Sequence, residues 1–141
     1  MSEEPNRAGL LVRTVAKILD FILIAAAAEI VPKAGFYAGL AYLLIGDSLF
    51  DGKSVGKKLV GIGVISSVSR EPCTIRDSIV RNSIFGAGYF LSRIIWFGWI
   101  FLVLIAVLEF IMMLGNRDHM RIGDEMAKTL VIDSARVKQE A

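Results

Sequence analysis

Apolar residues in this chain gather in long runs separated by short polar stretches. The first run spans about residues 10–31 and carries Arg13, Lys17, Asp20 and Glu29. The second spans about residues 34–50, with Asp47 near its end. A helix needs about 20 mainly apolar residues to cross a hydrocarbon core about 30 Å thick. Pro32 and Lys33 separate the two runs, which predicts a tight antiparallel hairpin, and proline suits that turn because it cannot continue a helix ladder. Residues 51–74 are polar. Asp51-Gly52 is a turn signal, and the short β-branched stretch Leu59 to Ile65 reads as a strand. Thr74 caps a helix in prospect, with Asp77 at its third position as a partial capping box.

The stretch from Ile84 to Leu114 is interrupted only by Arg93 and Glu109. As one helix it would measure about 46 Å, too long for one upright crossing. It is therefore either one steeply tilted span or part of two spans, residues 75–94 and 97–114. In the second case Arg93, Trp96, Gly98 and Trp99 mark the turn, where interfacial tryptophans belong. Positive charge arbitrates. With four spans, both termini and the loop 51–74 share one side with the tail 115–141. That side holds Arg7, Arg13, Lys17, Lys53, Lys57, Lys58, Arg70, Arg76, Arg81, Arg117, Arg121, Lys128, Arg136 and Lys138, or 14 of the 16 basic residues. Only Lys33 and Arg93 fall opposite, so four spans with both ends cytoplasmic are expected. The first run is read as a retained span rather than a cleaved signal, since Asp20 interrupts its apolar region.

Composition agrees with this pattern. Of 141 residues, 55% are apolar and 21% charged, against nearer half and a quarter in soluble domains. Mean hydropathy is +0.59. One cysteine, Cys73, excludes an internal disulfide framework, and one histidine with it leaves no structural zinc cluster. A net charge of +2 gives no global field for nucleic acid. The fold class expected is an all-α membrane protein: a four-helix transmembrane bundle with a small cytoplasmic β cap, in which residues 59–65 and 129–133 pair.

Several motifs reduce to ordinary readings. The stretch Gly52-Lys53-Ser54-Val55-Gly56-Lys57-Lys58 resembles a phosphate-binding loop but has three residues between its glycines where four are needed. Lys58 also stands where Ser or Thr would bind magnesium. It reads as a glycine-bent basic loop against anionic headgroups. His119 reads as solvated and Cys73 as a loop thiol without nucleophile partners. No metal, cofactor or enzymatic activity is expected. Gly35 and Gly39 lie on the second run opposite the small residues Ala25 to Ala28, which favours close helix packing within the chain over a dimer seam.

The intramembrane charges are the informative set. In a hairpin turning near Pro32–Lys33, Arg13 faces Asp51 and Lys17 faces Asp47, and each pair lies four residues from the other on one helix face. This predicts a two-rung structural ion-pair ladder. Asp20 lies about 15 Å into its span, level with Leu44 and Ile45, which offer no countercharge. An ionisable group at that depth is a functional candidate by default. Glu109 is the other carboxylate within an apolar run.

Arg13, Asp20, the loop Gly52-Lys53-Ser54-Val55-Gly56-Lys57 and the tail from Arg121 to Val131 together resemble the RDD family of small bacterial membrane proteins, named for an arginine and two aspartates. The resemblance covers roughly Arg7 to Ile132. It implies that Arg13 is the family arginine, Asp20 the first aspartate and Asp124 the second. Gly123 stands where many members carry histidine, which argues against a histidine proton relay there. The family is described as involved in transport, with sodium–proton antiport proposed for some members. The expected function is thus transport in the bacterial inner membrane, as exchange of Na+ or another monovalent cation for protons. Asp20, Arg13, Asp124 and Glu109 are the candidate ion-binding residues. Arg13 and Lys17 would lower the pKa of Asp20 by charge proximity. With so few helices per chain, a homo-oligomer is expected. The alternative is a non-transporting adaptor or scaffold, bound to lipids or another protein, whose intramembrane charges are structural.

The topology is directly testable. A C-terminal reporter active only outside the cytoplasm should stay silent in cells; an active one excludes four spans.

Overall fold

The structure, a computed structural model of the chain, describes residues 7–94, 98–116 and 120–134. Its elements are α1 (Leu10–Ile30), α2 (Pro32–Ile45), a 3-10 turn (Gly46–Ser48), α3 (Val55–Val60), β1 (Ile62–Ser66), α4 (Ile75–Ile94), α5 (Gly98–Gly115), α6 (Ile122–Met126) and β2 (Thr129–Asp133). Trp96, Arg117, His119, Arg136 and Lys138, all used in the sequence reading, lie outside the described residues.

All four expected runs are helical, and Ile84 to Leu114 belongs to two helices rather than one. α1 and α2 form the expected hairpin, with Pro32 at the first position of α2. A Cβ on Gly35 would fall 2.2 Å from the Ala27 carbonyl oxygen. The Gly35/Ala27–Ala28 contact is therefore a seam within the chain. α2 ends five residues earlier than expected, because the backbone tightens at Gly46 into a 3-10 turn that carries Asp47 inward.

α2 packs on α4, and α4 on α5. Ile24, Leu43 and Phe85 form the core between them, with Phe21 set edge-on to Phe85 at 6.0 Å. Thr74 caps α4 as its sequence indicates: its hydroxyl accepts from the Asp77 N–H at 3.2 Å, and the Asp77 carboxylate accepts in return from the Thr74 N–H.

The cap is a two-stranded antiparallel sheet in which Ile62 opposes Asp133 and Val64 opposes Val131. β1 begins three residues later than the sequence suggests. Leu59 and Val60 close α3, and Gly61, at φ 76°, provides the left-handed residue that ends it. Ala8 joins the sheet edge through its N–H to the Val131 carbonyl at 3.0 Å. Ala16 of α1 is buried against Ile62, Val64, Cys73 and Val131, so the cap sits directly on α1.

The outer surfaces of the long helices are apolar. On α5, Leu104, Leu108, Ile111 and Leu114 are each more than half exposed, and Leu11, Ile18 and Ile22 are exposed on α1. Among the described residues, α5 is the one helix long and apolar enough by itself to cross a membrane. α1 carries four charges, and α2 is about 21 Å long at 1.5 Å per residue.

The stretch Gly52–Lys58 is a correction to the sequence reading. Its second half opens the short helix α3, with Ser54 as N-cap, packed against α1, where a loop was expected throughout. A Cβ on Gly56 would lie 2.2 Å from the Ala16 carbonyl oxygen, so only glycine permits this approach. Gly56→Ala should destabilise the fold by about 1–3 kcal/mol through overpacking. Gly115→Ala, with nothing within 4 Å of the added methyl, should leave the thermal midpoint in detergent unchanged. Equal midpoints for both variants would refute the packing of α3 on α1.

Candidate functional site

Asp20 is buried, and both oxygens of its carboxylate accept hydrogen bonds. Oδ2 accepts from the Ser54 hydroxyl at 2.6 Å; Oδ1 accepts from the Tyr42 hydroxyl at 2.6 Å and the Gly56 N–H at 2.8 Å. All three donors are uncharged. Tyr42 in turn accepts from the Val55 N–H at 2.9 Å. Asp20 thus holds the first turn of α3 against α1 and α2. A carboxylate near backbone N–H groups at a helix start is stabilised by local charge complementarity.

The other charges form a second network, organised by Arg81 on α4, which is fully buried. Its Nη2 lies 2.7 Å from Asp124 and its Nε 3.3 Å from Asp47. Asp124 also pairs with Arg13 of α1, and Asp47 with Lys57 of α3. Asn82 donates to Asp47 at 3.0 Å and accepts from Lys17 at 3.4 Å. Arg121, just before α6, contacts Asp124 at 3.4 Å and Glu109 of α5 at 3.5 Å. The ladder expected from the hairpin register is therefore replaced. Arg13 pairs with Asp124 rather than Asp51, which stands exposed in its turn at φ 50°. Lys17 reaches Asp47 through Asn82. The physical reason is that α3 and α6 fold back onto the helix ends and bring closer partners than the opposite strand of the hairpin.

Two groups of the cap show what burial does to charge. For Lys57, burial outweighs the pull of Asp47 and lowers the ammonium pKa to about 7. For Asp124, burial alone would raise the pKa, but the guanidinium groups of Arg81, Arg121 and Arg13 together hold it well below the usual carboxylate range.

Beside this network lies a cavity of about 190 Å³ between α1 and α5, floored by α4. Arg13, Lys17, Lys57, Arg81 and Arg121 line one end, with Glu109 among them. Phe21, Phe85, Ala106 and Phe110 line the rest. The Lys17 ammonium sits 4.7 Å from the centroid of the Phe85 ring, a cation–π contact. Glu109 is 2% exposed, and neither of its oxygens has a hydrogen-bond donor among the described residues. Arg121 Nε and Arg81 Nη1 are likewise buried without an acceptor.

Arg13 and Asp124 are in direct contact, and Asp20 occupies a separate site on the same helix as Arg13. This arginine and these two aspartates lie within a match to the RDD family that covers residues 7–128. The chain belongs to the RDD family. Comparison with curated proteins and with solved structures returns no match. The RDD family is one of membrane proteins, which accounts for the exposed apolar faces of α1 and α5. Within this RDD chain, Gly123 has a steric role: a Cβ there would fall 1.9 Å from the Arg81 carbonyl oxygen. The absent side chain lets α6 dock on α4 and bring Asp124 to Arg81.

Of the sequence candidates, the structure brings Arg13 and Asp124 together, links Glu109 to them through Arg121, and leaves Asp20 apart. Arg81, Asn82, Lys57 and Arg121 were not singled out. A signal existed for two of them. Ser78, Arg81, Asn82 and Phe85 recur at spacings of three and four, and all are buried on one face of α4.

A depressed carboxyl pKa in the folded state contributes stability above its unfolded value and loses it as pH falls through the folded one. The thermal midpoint should therefore decline as pH drops below about 4, the ordinary carboxylate value. Asp124→Asn should lower the midpoint at neutral pH and weaken that acid dependence. An unchanged acid profile in the variant would show that Asp124 is not held ionised by its arginines.

Proposed function

We propose that this RDD protein is a four-span membrane protein whose buried charges lock a cytoplasmic cap onto the helix ends, making it a membrane scaffold rather than an exchanger working through Asp20. The observation that carries this reading is the set of three neutral hydrogen bonds that tie buried Asp20 to Tyr42 and the start of α3. A carboxylate that must alternate between a proton and a cation needs a path to water and freedom from fixed donors. Asp20 instead accepts three hydrogen bonds from groups that fix a loop. The placement of the cap on the cytoplasmic side rests on the distribution of basic residues.

Four spans remain consistent with the charges in α1 and α4. Arg13, Lys17, Asp20 and Arg81 all turn inward, where each finds a partner, while the exposed charges Glu29, Arg76 and Arg93 lie at the ends of these helices. The short α2 is extended at its inner end by the 3-10 turn.

A second reading has a specific observation in its favour. Glu109 is a buried carboxylate without hydrogen bonds among the described residues, on a cavity wall. If the protein exchanges cations for protons, Glu109 rather than Asp20 carries them, and Arg121 is its counter-charge.

Proteoliposomes with an internal pH dye separate the two. The scaffold reading expects no Na+-driven proton movement above protein-free vesicles, and expects Asp20→Asn to lower thermal stability by about 1–3 kcal/mol by placing an amide N–H against existing donors. Flux that survives Asp20→Asn but disappears in a stably folded Glu109→Gln variant establishes the second reading. Flux lost in a stably folded Asp20→Asn variant returns the role to Asp20.

A further inference from the structure

We propose that the segment from Gly52 to Gly61, with α3 at its centre, is a hinged flap that opens the buried charges beneath it to water while the rest of the cap stays in place. The base of the segment is closed on the sheet. The Val64 N–H donates to the Gly52 carbonyl at 2.7 Å, and the Ser134 N–H donates to the Gly61 carbonyl at 2.9 Å. Both base residues are glycines in the left-handed region, Gly52 at φ 83° and Gly61 at φ 76°. Hinges are a few loop or element-terminal positions that absorb a change in φ and ψ, and these two border α3 on either side.

What holds the flap down is polar. The buried residues of α3 are Gly56 and Lys57. Ser54 and Gly56 hydrogen-bond to Asp20, Val55 bonds to Tyr42, and Lys57 pairs with Asp47. Leu59 is 71% exposed, and Val60 rests on the cap core at the hinge end. The remainder of the cap is held differently, by Ile62, Val64, Cys73 and Val131 packed on Ala16. Segments with few buried apolar contacts open at lower free energy than the core. A six-residue helix is not stable alone, so undocking and unwinding of α3 are a single event. That event frees Asp20 and Asp47 from their α3 donors.

Lys57 links the opening to pH. Docked, its ammonium contacts Asp47 of the 3-10 turn and feels Asp124 of α6 at longer range, against Lys17 of α1, Arg81 of α4 and Arg121 before α6. Burial lowers its pKa to about 7, against about 10.4 for an exposed lysine. Between these values the docked state holds fewer protons than the open one. Docking therefore strengthens as pH rises above about 7 and changes little below it. The inference goes beyond the scaffold reading and does not depend on it: that reading fails on flux, this one on amide exchange.

The test is residue-resolved amide hydrogen exchange of the full chain in detergent micelles, read as protection factors so that the intrinsic pH dependence cancels. Val55, Gly56, Lys57 and Lys58 should share one protection factor, about tenfold or more below those of Val64 and Cys73, which bond to the flap base and the sheet. That shared factor should rise about fivefold from pH 7 to pH 8. Equal protection of the two groups overturns the flap, because α3 then opens only with the whole cap. Ser54→Ala removes one docking bond and should lower protection of Val55 to Lys58 about fivefold, with Val64 and Cys73 unchanged. A matched loss in both groups also overturns the flap. Lys57→Met keeps the apolar stem, leaves Asp47 with Arg81 and Asn82, and should abolish the rise between pH 7 and pH 8. No rise in the wild-type chain, or a rise that persists in Lys57→Met, overturns the role of Lys57.

Discussion

Arg81 is the constraint on which the arrangement turns. Its guanidinium stands between two carboxylates, Asp47 from the 3-10 turn after α2 and Asp124 from α6. Through Asp47 it reaches Lys57 of α3, and through Asp124 it reaches Arg13 of α1 and Arg121 before α6. Arg121 extends the chain to Glu109 of α5. Helices α1, α3, α4 and α5, the turn after α2 and the start of α6 therefore meet the same set of charges. Removing a single member of a buried set leaves others unpaired, which commonly costs about 3–5 kcal/mol. The network is best regarded as a specification of geometry rather than as surplus stability: it fixes which helix end meets which part of the cap.

Two devices bring these charges together. The first is the absence of side chains at Gly56 and Gly123, where α3 and α6 touch the backbones of α1 and α4. The second is the set of hydrogen bonds accepted by Asp20, which pins Ser54 and Gly56 and so sets the position of Lys57 one residue further on. Asp20 and Arg81 thus serve the same docking from two sides, one through neutral hydrogen bonds and the other through ion pairs.

Much of this was legible in the residues. The apolar runs located four long helices, Pro32 located the first hairpin, Thr74 and Asp77 located the start of α4, and Thr129–Asp133 is the strand expected. The partners of Arg13 and Lys17 were not legible. Equal-depth arithmetic along a hairpin sees only the two helices of that hairpin, whereas the true partners arrive on segments distant in sequence. The basic stretch after Gly52 misled for a related reason: lysines at a membrane surface and a lysine buried beside Asp47 have the same composition. What distinguished them was the spacing of Ser54, Gly56 and Lys57 around a helix start, together with a carboxylate on α1 able to receive it.

The Arg13–Asp124 pair joins residues 111 positions apart. At a synthesis rate of about 5–20 residues per second, roughly 6–20 s pass between the emergence of one partner and the other. Through that interval the growing chain holds Arg13, and later Arg81, without the carboxylate that completes their pairing. The first helix must therefore form before Asp124 is available to its arginine. Final seating awaits the last stretch of translation. Loss of the tail through truncation or a frameshift would leave a chain without Asp124, in which the pairing of Arg13 and Arg81 is never completed.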